Sequence, residues 1–276
     1  MYKKILTVQD ISCVGQCSLT VALPIISACG MECAVLPTAV LSTHTGGFKG
    51  YTFLDLTDEM GKIAAHWKKE SFSFDCVYTG YIGSARQVEV IKGIFEQFDK
   101  GGVIVVDPVM ADKGKLYTGF DMAFVKEMAS LIGKADIIVP NITEACFLLG
   151  EEYKEEYDKA YIEKICKDFS KLTKARVVLT GVSFEDKKLG VAVTNGNGGI
   201  DYYFHDKIAV SMHGTGDVYA SSLVGALLKG NNLLTSASIA ADYTVECIKQ
   251  TMDDETHWYG VKFEKALPYL LKRLGK

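Results

Sequence analysis

The chain has 276 residues, 48% hydrophobic and 23% charged, which suits a globular protein with a substantial core and excludes a disordered or fibrous one. Lys and Arg number 30 against 34 Asp and Glu, a formal charge of -4, and no basic block or basic–aromatic stripe appears, so nucleic-acid binding is not expected. No apolar run approaches the roughly 18 residues of a membrane span, and none of the cysteines forms a C-x-x-C pair or lies at ligand spacing from a histidine.

The opening "MYKKILTVQD" has an apolar run that breaks at Gln9 and Asp10, too soon for a signal peptide, and reads as a buried first strand of a cytoplasmic protein with reduced thiols. A helix follows in "CSLTVALPIISACG" and then a second strand. Next comes "LSTHTGGFKGYTFLDLTDEM" at 41–60, where three glycines and alternating polar and aromatic residues suit either a mobile flap or an ordinary surface excursion.

After it, strand-like and helix-like runs alternate: "FDCVYTGYIG" with "SARQVEVIKGIFEQFDK", "GVIVVDPVM" with "GFDMAFVKEMASLIG", and "ADIIVPN" with "ITEACFLLG". Continuous apolar strands alternating with helices predict a parallel sheet covered on both faces, a doubly wound α/β architecture. From 176 the runs "RVVLTGVS", "KLGVAVTN" and "GIDYYFHDK", joined by short Gly- and Asn-containing turns, predict an antiparallel extension. Helices are expected at about 216–230, 233–250 and 261–273, and the absence of any linker or repeat makes one domain the simplest reading.

In open parallel α/β sheets ligands bind at the carboxyl ends of the strands. The polar residues placed there are Asp10 and Ser12, Ser42 to Thr45, Tyr81, Asp107 and Asp112, Asn141 and Glu144, and Thr180. Carboxylates and an amide without a His/Cys cluster suit a hard cation held by oxygen, such as magnesium carrying nucleotide phosphates. Each also has a structural reading: Asp107 before Pro108 suits a turn, and Glu144 suits the first turn of a helix capped by Asn141.

"HGTGD" at 213–217 precedes the first of the C-terminal helices. Its glycines allow close backbone approach, and the following helix start presents unpaired N–H groups to an anion. Asp217 there suits a base that takes a proton from an attacking alcohol. The same pentapeptide also reads as a glycine turn with a helix-starting acid. Neither a Walker A loop nor a G-x-G-x-x-G fingerprint is present.

The "GTGD" of residues 214–217 resembles the anion-hole motif of the ribokinase superfamily. With "VQD", "LSTHTG", "TGYIGSARQ", "DPVM" and "PNITEACFL" in this order, the chain from about residue 5 to about 250 resembles the pyridoxal kinase branch. That resemblance implies a ribokinase-like three-layer α/β/α fold with a mostly parallel sheet, an antiparallel extension and a small substrate flap. It also implies ATP- and magnesium-dependent phosphorylation of the 5'-hydroxymethyl group of a B6 vitamer, by a homodimer. By position, Asp217 would be the base and Gly214, Thr215 and Gly216 the anion hole. Asp107 and Glu144 would handle magnesium and ATP phosphates, with Asn141 and Thr180 beside them, while Thr45 and Tyr81 would hold the pyridine ring.

Familiar pyridoxal kinases have "QSH" where this chain has "QDI", so Asp10 stands in place of a ring-contacting serine and a carboxylate there suits a protonated pyridine nitrogen. His213 is similar to the residue ahead of the same motif in hydroxymethylpyrimidine kinases and has no assigned role. Those kinases usually carry cysteine where Asp217 stands. A hydroxymethylpyrimidine or other small-alcohol kinase, or a non-catalytic vitamer-binding protein, are the alternatives on this fold.

Overall fold

The computed structural model describes residues 2–98 and 101–275. In chain order, β1 (Lys4–Ser12), α1 (Leu19–Ala28), β2 (Glu32–Leu41), β3 (Phe53–Asp55), α2 (Thr57–Lys69), β4 (Cys76–Thr79) and α3 (Ala85–Phe98) form the first half. β5 (Val103–Val106), β6 (Ala111–Asp112), β7 (Lys115–Leu116), α4 (Met122–Ile132), β8 (Ile137–Ile138), α5 (Ile142–Leu149) and α6 (Lys159–Asp168) follow. The chain continues through β9 (Arg176–Val182), β10 (Lys188–Thr194), β11 (Ile200–Asp206), α7 (Thr215–Leu228), α8 (Leu233–Lys249) and α9 (Phe263–Arg273).

Nine strands make one sheet in the order β11-β10-β9-β8-β5-β4-β1-β2-β3, while β6 and β7 form a separate small hairpin. The contiguous strands from β9 to β2 are parallel, β10 and β11 extend one edge antiparallel, and β3 closes the other edge antiparallel to β2. The buried strands are apolar on both faces because helices cover both. Leu6, Val8 and Val77 pack with α2–α6, whereas Ile5, Cys76 and Tyr78 pack with α1 and α7–α9. The period of two within each strand thus sorts its side chains into two cores, giving the expected three-layer α/β/α fold.

Most of the well-capped helices start on a short polar side chain: Asp121 for α4, Asn141 for α5, Asp158 for α6 and Asn232 for α8 each accept a backbone N–H. Helix α7 begins instead on Gly214, with no side-chain cap. Its first N–H groups are left for another acceptor.

The C-terminal helices lie within two residues of their expected bounds. Helix α2, the edge strand β3 and helix α6 are additions that the sequence reading did not place. Helix α2 buries only Thr57, Met60 and Ala64, too few positions to stand out as a periodic stripe. Within 41–60 the structure finds β3 and the start of α2, so the irregular part is 42–52. Asp99 and Lys100, the end of the expected helical run "SARQVEVIKGIFEQFDK", lie outside the described residues.

Candidate active site

The register of β1 against β2 slips at Asp10: Gln9 pairs with Pro37 while Ile11 pairs with Val40. Such an irregularity re-aims the side chain at the strand end. Asp10 is only 3% exposed; its Oδ2 accepts the Ser12 hydroxyl at 2.8 Å and its carboxylate also takes the Ser18 hydroxyl. Burial raises its pKa against those hydrogen bonds. His44 acts on it in the opposite direction to burial, and no lysine or arginine among the described residues forms an ion pair with this buried carboxylate.

Asp217 sits in the first turn of α7, partly buried, and accepts the backbone N–H of Ser18. Burial pushes its pKa up to about 7 against that hydrogen bond, and the charge of Asp10 adds to the rise. Gly214 is left-handed at φ 75°, and a Cβ there would lie 2.0 Å from the Gln16 carbonyl oxygen. The Thr215 hydroxyl donates to the Met212 carbonyl at 3.1 Å, while the space around Gly216 is open. The 15–18 turn that buttresses this loop is itself unusual: Gln16 and Ser18 are left-handed non-glycines at φ 53° and 56°. Backbone in that region costs about 1–3 kcal/mol per residue and clusters at functional sites.

Asp107, at the end of β5, is 6% exposed, and no side chain or N–H among the described residues donates to its carboxylate. Burial, then the charges of Glu144 and Asp217, raise its pKa well above the usual range. Glu144 differs, because its Oε2 accepts Asn141 N–H at 2.9 Å and its Oε1 accepts Met110 N–H at 3.1 Å. Asn141 Oδ1 accepts Glu144 N–H in return, completing a capping box, and Asn141 Nδ2 donates to the Ala111 carbonyl at 2.8 Å. Burial still pushes Glu144 up to about 8. Thr180 on β9 donates its N–H to the Pro140 carbonyl at 2.9 Å. A cleft of 480 Å³ opens beside these residues, lined among others by Asp112, Asn141, Thr143, Thr180, Ser183 and Lys207.

Tyr81 lies in the same region, its hydroxyl pushed up to about 12 by burial and by Asp10 and Tyr51, with its ring 5.7 Å from Phe120. Thr45 is exposed in the 42–52 loop. That loop is pinned by His44: Nδ1 accepts Gly46 N–H at 3.0 Å, so Nε2 carries the proton and donates to the Tyr259 carbonyl at 2.7 Å. Phe48 packs on Trp258 with centroids 4.6 Å apart. The 15–18 turn and the aromatic 257–259 segment were not part of the site expected from sequence. The signal for the second was the run "HWYG" in an otherwise polar connection.

An uncapped helix behind a glycine loop, a near-neutral carboxylate in its first turn and a nucleotide-sized cleft across the strand ends define a phosphotransferase of the ribokinase-like class. Its sequence matches the phosphomethylpyrimidine kinase profile over residues 22–261, and the chain belongs to that family, on the pyridoxal kinase branch that its motifs resemble. It is similar to a "putative phosphomethylpyrimidine kinase" of Bacteroides thetaiotaomicron crystallised with pyridoxal, at 39% identity, TM-score 0.92 and coverage of 98% and 96% of the two chains. Pyridoxal kinase of Lactobacillus plantarum is 32% identical with a TM-score of 0.91, covering 99% of this chain and 98% of its own. A chloroplastic thiamine biosynthetic bifunctional enzyme of Arabidopsis thaliana is 26% identical over 84% of this chain, which spans only 44% of that enzyme. No helix among the described residues is long and apolar enough to cross a membrane.

Proposed function

We propose that the chain transfers the γ-phosphoryl group of ATP to the 5'-hydroxymethyl group of a B6 vitamer: pyridoxal, pyridoxine or pyridoxamine. The observation that carries this reading is the pair Asp10 and Asp217, two neighbouring carboxylates, one at the carboxyl end of β1 and the other in the first turn of α7 with a pKa of about 7. Asp217 takes the hydroxyl proton, for which a pKa close to neutrality is suited. The N–H groups at Gly214, Thr215 and Gly216 receive the charge of the phosphoryl group. Asp10 pairs with a protonated pyridine nitrogen, and Tyr81 and Thr45 border the ring. Asn141 and Thr180 line the nucleotide side.

Asp107 fits a magnesium ion, because a buried carboxylate without protein donors gains most from a cation. Glu144, already bound by backbone N–H groups, would hold the ion jointly with Asp107 while keeping the 110–111 turn in place. No three His, Cys, Asp or Glu side chains among the described residues are arranged to hold an ion alone, which suits one that shares phosphate and water oxygens. When bound, magnesium neutralises phosphate charge. A homodimer in the cytoplasm completes the proposal.

A second reading, phosphorylation of a hydroxymethylpyrimidine, is favoured by the family description and by the thiamine-pathway relative. ADP release measured on the three vitamers and on hydroxymethylpyrimidine separates them. Higher kcat/KM on a vitamer supports the first reading, and higher kcat/KM on the pyrimidine overturns it.

A further inference from the structure

His213 immediately precedes the anion loop, is exposed, and neither of its ring nitrogens has a hydrogen-bond partner among the described residues. What fixes the ring is packing. Its centroid lies 5.1 Å from that of His44, and a Cβ built on Gly46 would come within 2.8 Å of both its Cε1 and its Nδ1. Gly46 is not left-handed, so a side chain there would meet no backbone obstacle and would instead push on the His213 ring. The same amide donates to His44 Nδ1 at 3.0 Å. His44 in turn presses on Gly15, where a Cβ would lie 2.1 Å from its Cδ2, and binds the Tyr259 carbonyl. The 15–18 turn and the 257–259 segment therefore meet the 42–52 loop at His44, whose ring packs against His213 directly ahead of Gly214.

We propose that His213 is a positioning residue: a packing latch that holds the 42–52 loop against the anion loop at Gly214–Gly216. The loop over the alcohol and the loop that receives the phosphoryl group are thereby set in one movement. The ring acts by its shape and not by its nitrogens, since these have no hydrogen-bond partner among the described residues. A latch of this kind places the acceptor oxygen and the phosphoryl cradle in register, where a misplacement of about 1 Å costs roughly 10²-fold in rate. The packing stands independently of the phosphotransfer reading, but its kinetic consequence rests on it.

Hydrogen exchange at the amides of residues 43–50 tests the latch in the full chain without substrate. His213→Ala, His213→Asn and Gly46→Ala should each speed exchange at the Gly46 amide about tenfold, and His213→Phe should restore protection. Gly46→Ala should add nothing in a His213→Ala background, because the ring it strikes is gone. In turnover, His213→Ala should lower kcat for the alcohol about tenfold or more and leave KM for ATP within about twofold. Unchanged exchange in His213→Ala and Gly46→Ala overturns the proposal, as does protection kept by Asn and lost by Phe, which would give the ring nitrogens the role. Exchange that responds as expected in a protein that phosphorylates none of the tested alcohols upholds the latch and overturns the kinase reading alone.

Discussion

The charge of Asp217 opposes ionisation of Asp107, although the two arise from opposite halves of the chain, one at the start of α7 and the other at the end of β5. The sheet brings them to one edge with Asp10 and Glu144, and each of the four carboxyls is raised above its ordinary value. Buried like charges without a cation are a cost to the fold. A magnesium–nucleotide complex would relieve part of it.

Stability should therefore depend on pH in a particular direction. In the unfolded chain these groups titrate near 3.8 for Asp and 4.5 for Glu, whereas in the fold Asp217 and Glu144 titrate at about 7 and 8. Between those limits the folded state holds more protons, so stability falls as pH rises. Thermal melts of the ligand-free protein should show the melting temperature decreasing from roughly pH 5 to pH 8 in the contribution of this site. Added MgATP should raise it more at pH 8 than at pH 6, and Asp107→Asn should flatten both trends.

Replacing Asp10 separates ring recognition from chemistry. Asp10→Asn keeps the shape and removes the charge, so KM for a pyridine vitamer should rise about tenfold while kcat changes by less than about threefold. Asp10→Ser should behave alike. Equal losses on vitamers and on a neutral alcohol acceptor would show that Asp10 supports the fold and not the ring.

Gly214 is constrained twice, by its left-handed backbone and by the Gln16 carbonyl. Gly214→Ala adds a Cβ where there is no room and should cost about 1–3 kcal/mol in urea unfolding, with phosphotransfer lost in the surviving folded protein. Gly216 has open space around it, so Gly216→Ala should keep nearly full stability, and a drop in rate there would report on the anion and not on folding.

Glu144 carries a structural duty that its neighbour Asp107 does not. Glu144→Ala leaves the Asn141 and Met110 N–H groups without their acceptor, at about 1–3 kcal/mol each. Asp107→Ala removes a carboxylate that accepts nothing from the protein, so stability should hold or rise. Chemical denaturation of the two variants side by side checks the contrast.

The parallel sheet was legible because β1, β5, β8 and β9 lie in apolar runs that end in polar residues, and the edge carrying Asp10, Asp107, Asn141 and Thr180 followed from that pattern. The capping box of Asn141 and Glu144 was equally local. What sequence could not show was long-range. Nothing in "CVGQCS" announces that Gln16 blocks a side chain at Gly214, or that Ser18 donates to Asp217. Nor does "THTGG" reveal that its histidine binds the Tyr259 carbonyl. Those contacts depend on tertiary packing, to which periodicity and motif spacing are blind.

Single-turnover transfer by Asp217→Asn tests most directly whether Asp217 is the base of a phosphoryl transfer to a B6 vitamer. Nucleotide binding should persist, transfer to pyridoxal should fall about 10²-fold or more, and the wild-type rise of kcat/KM through about pH 7 should vanish. Transfer at the wild-type rate, with the pH profile unchanged, would contradict the account.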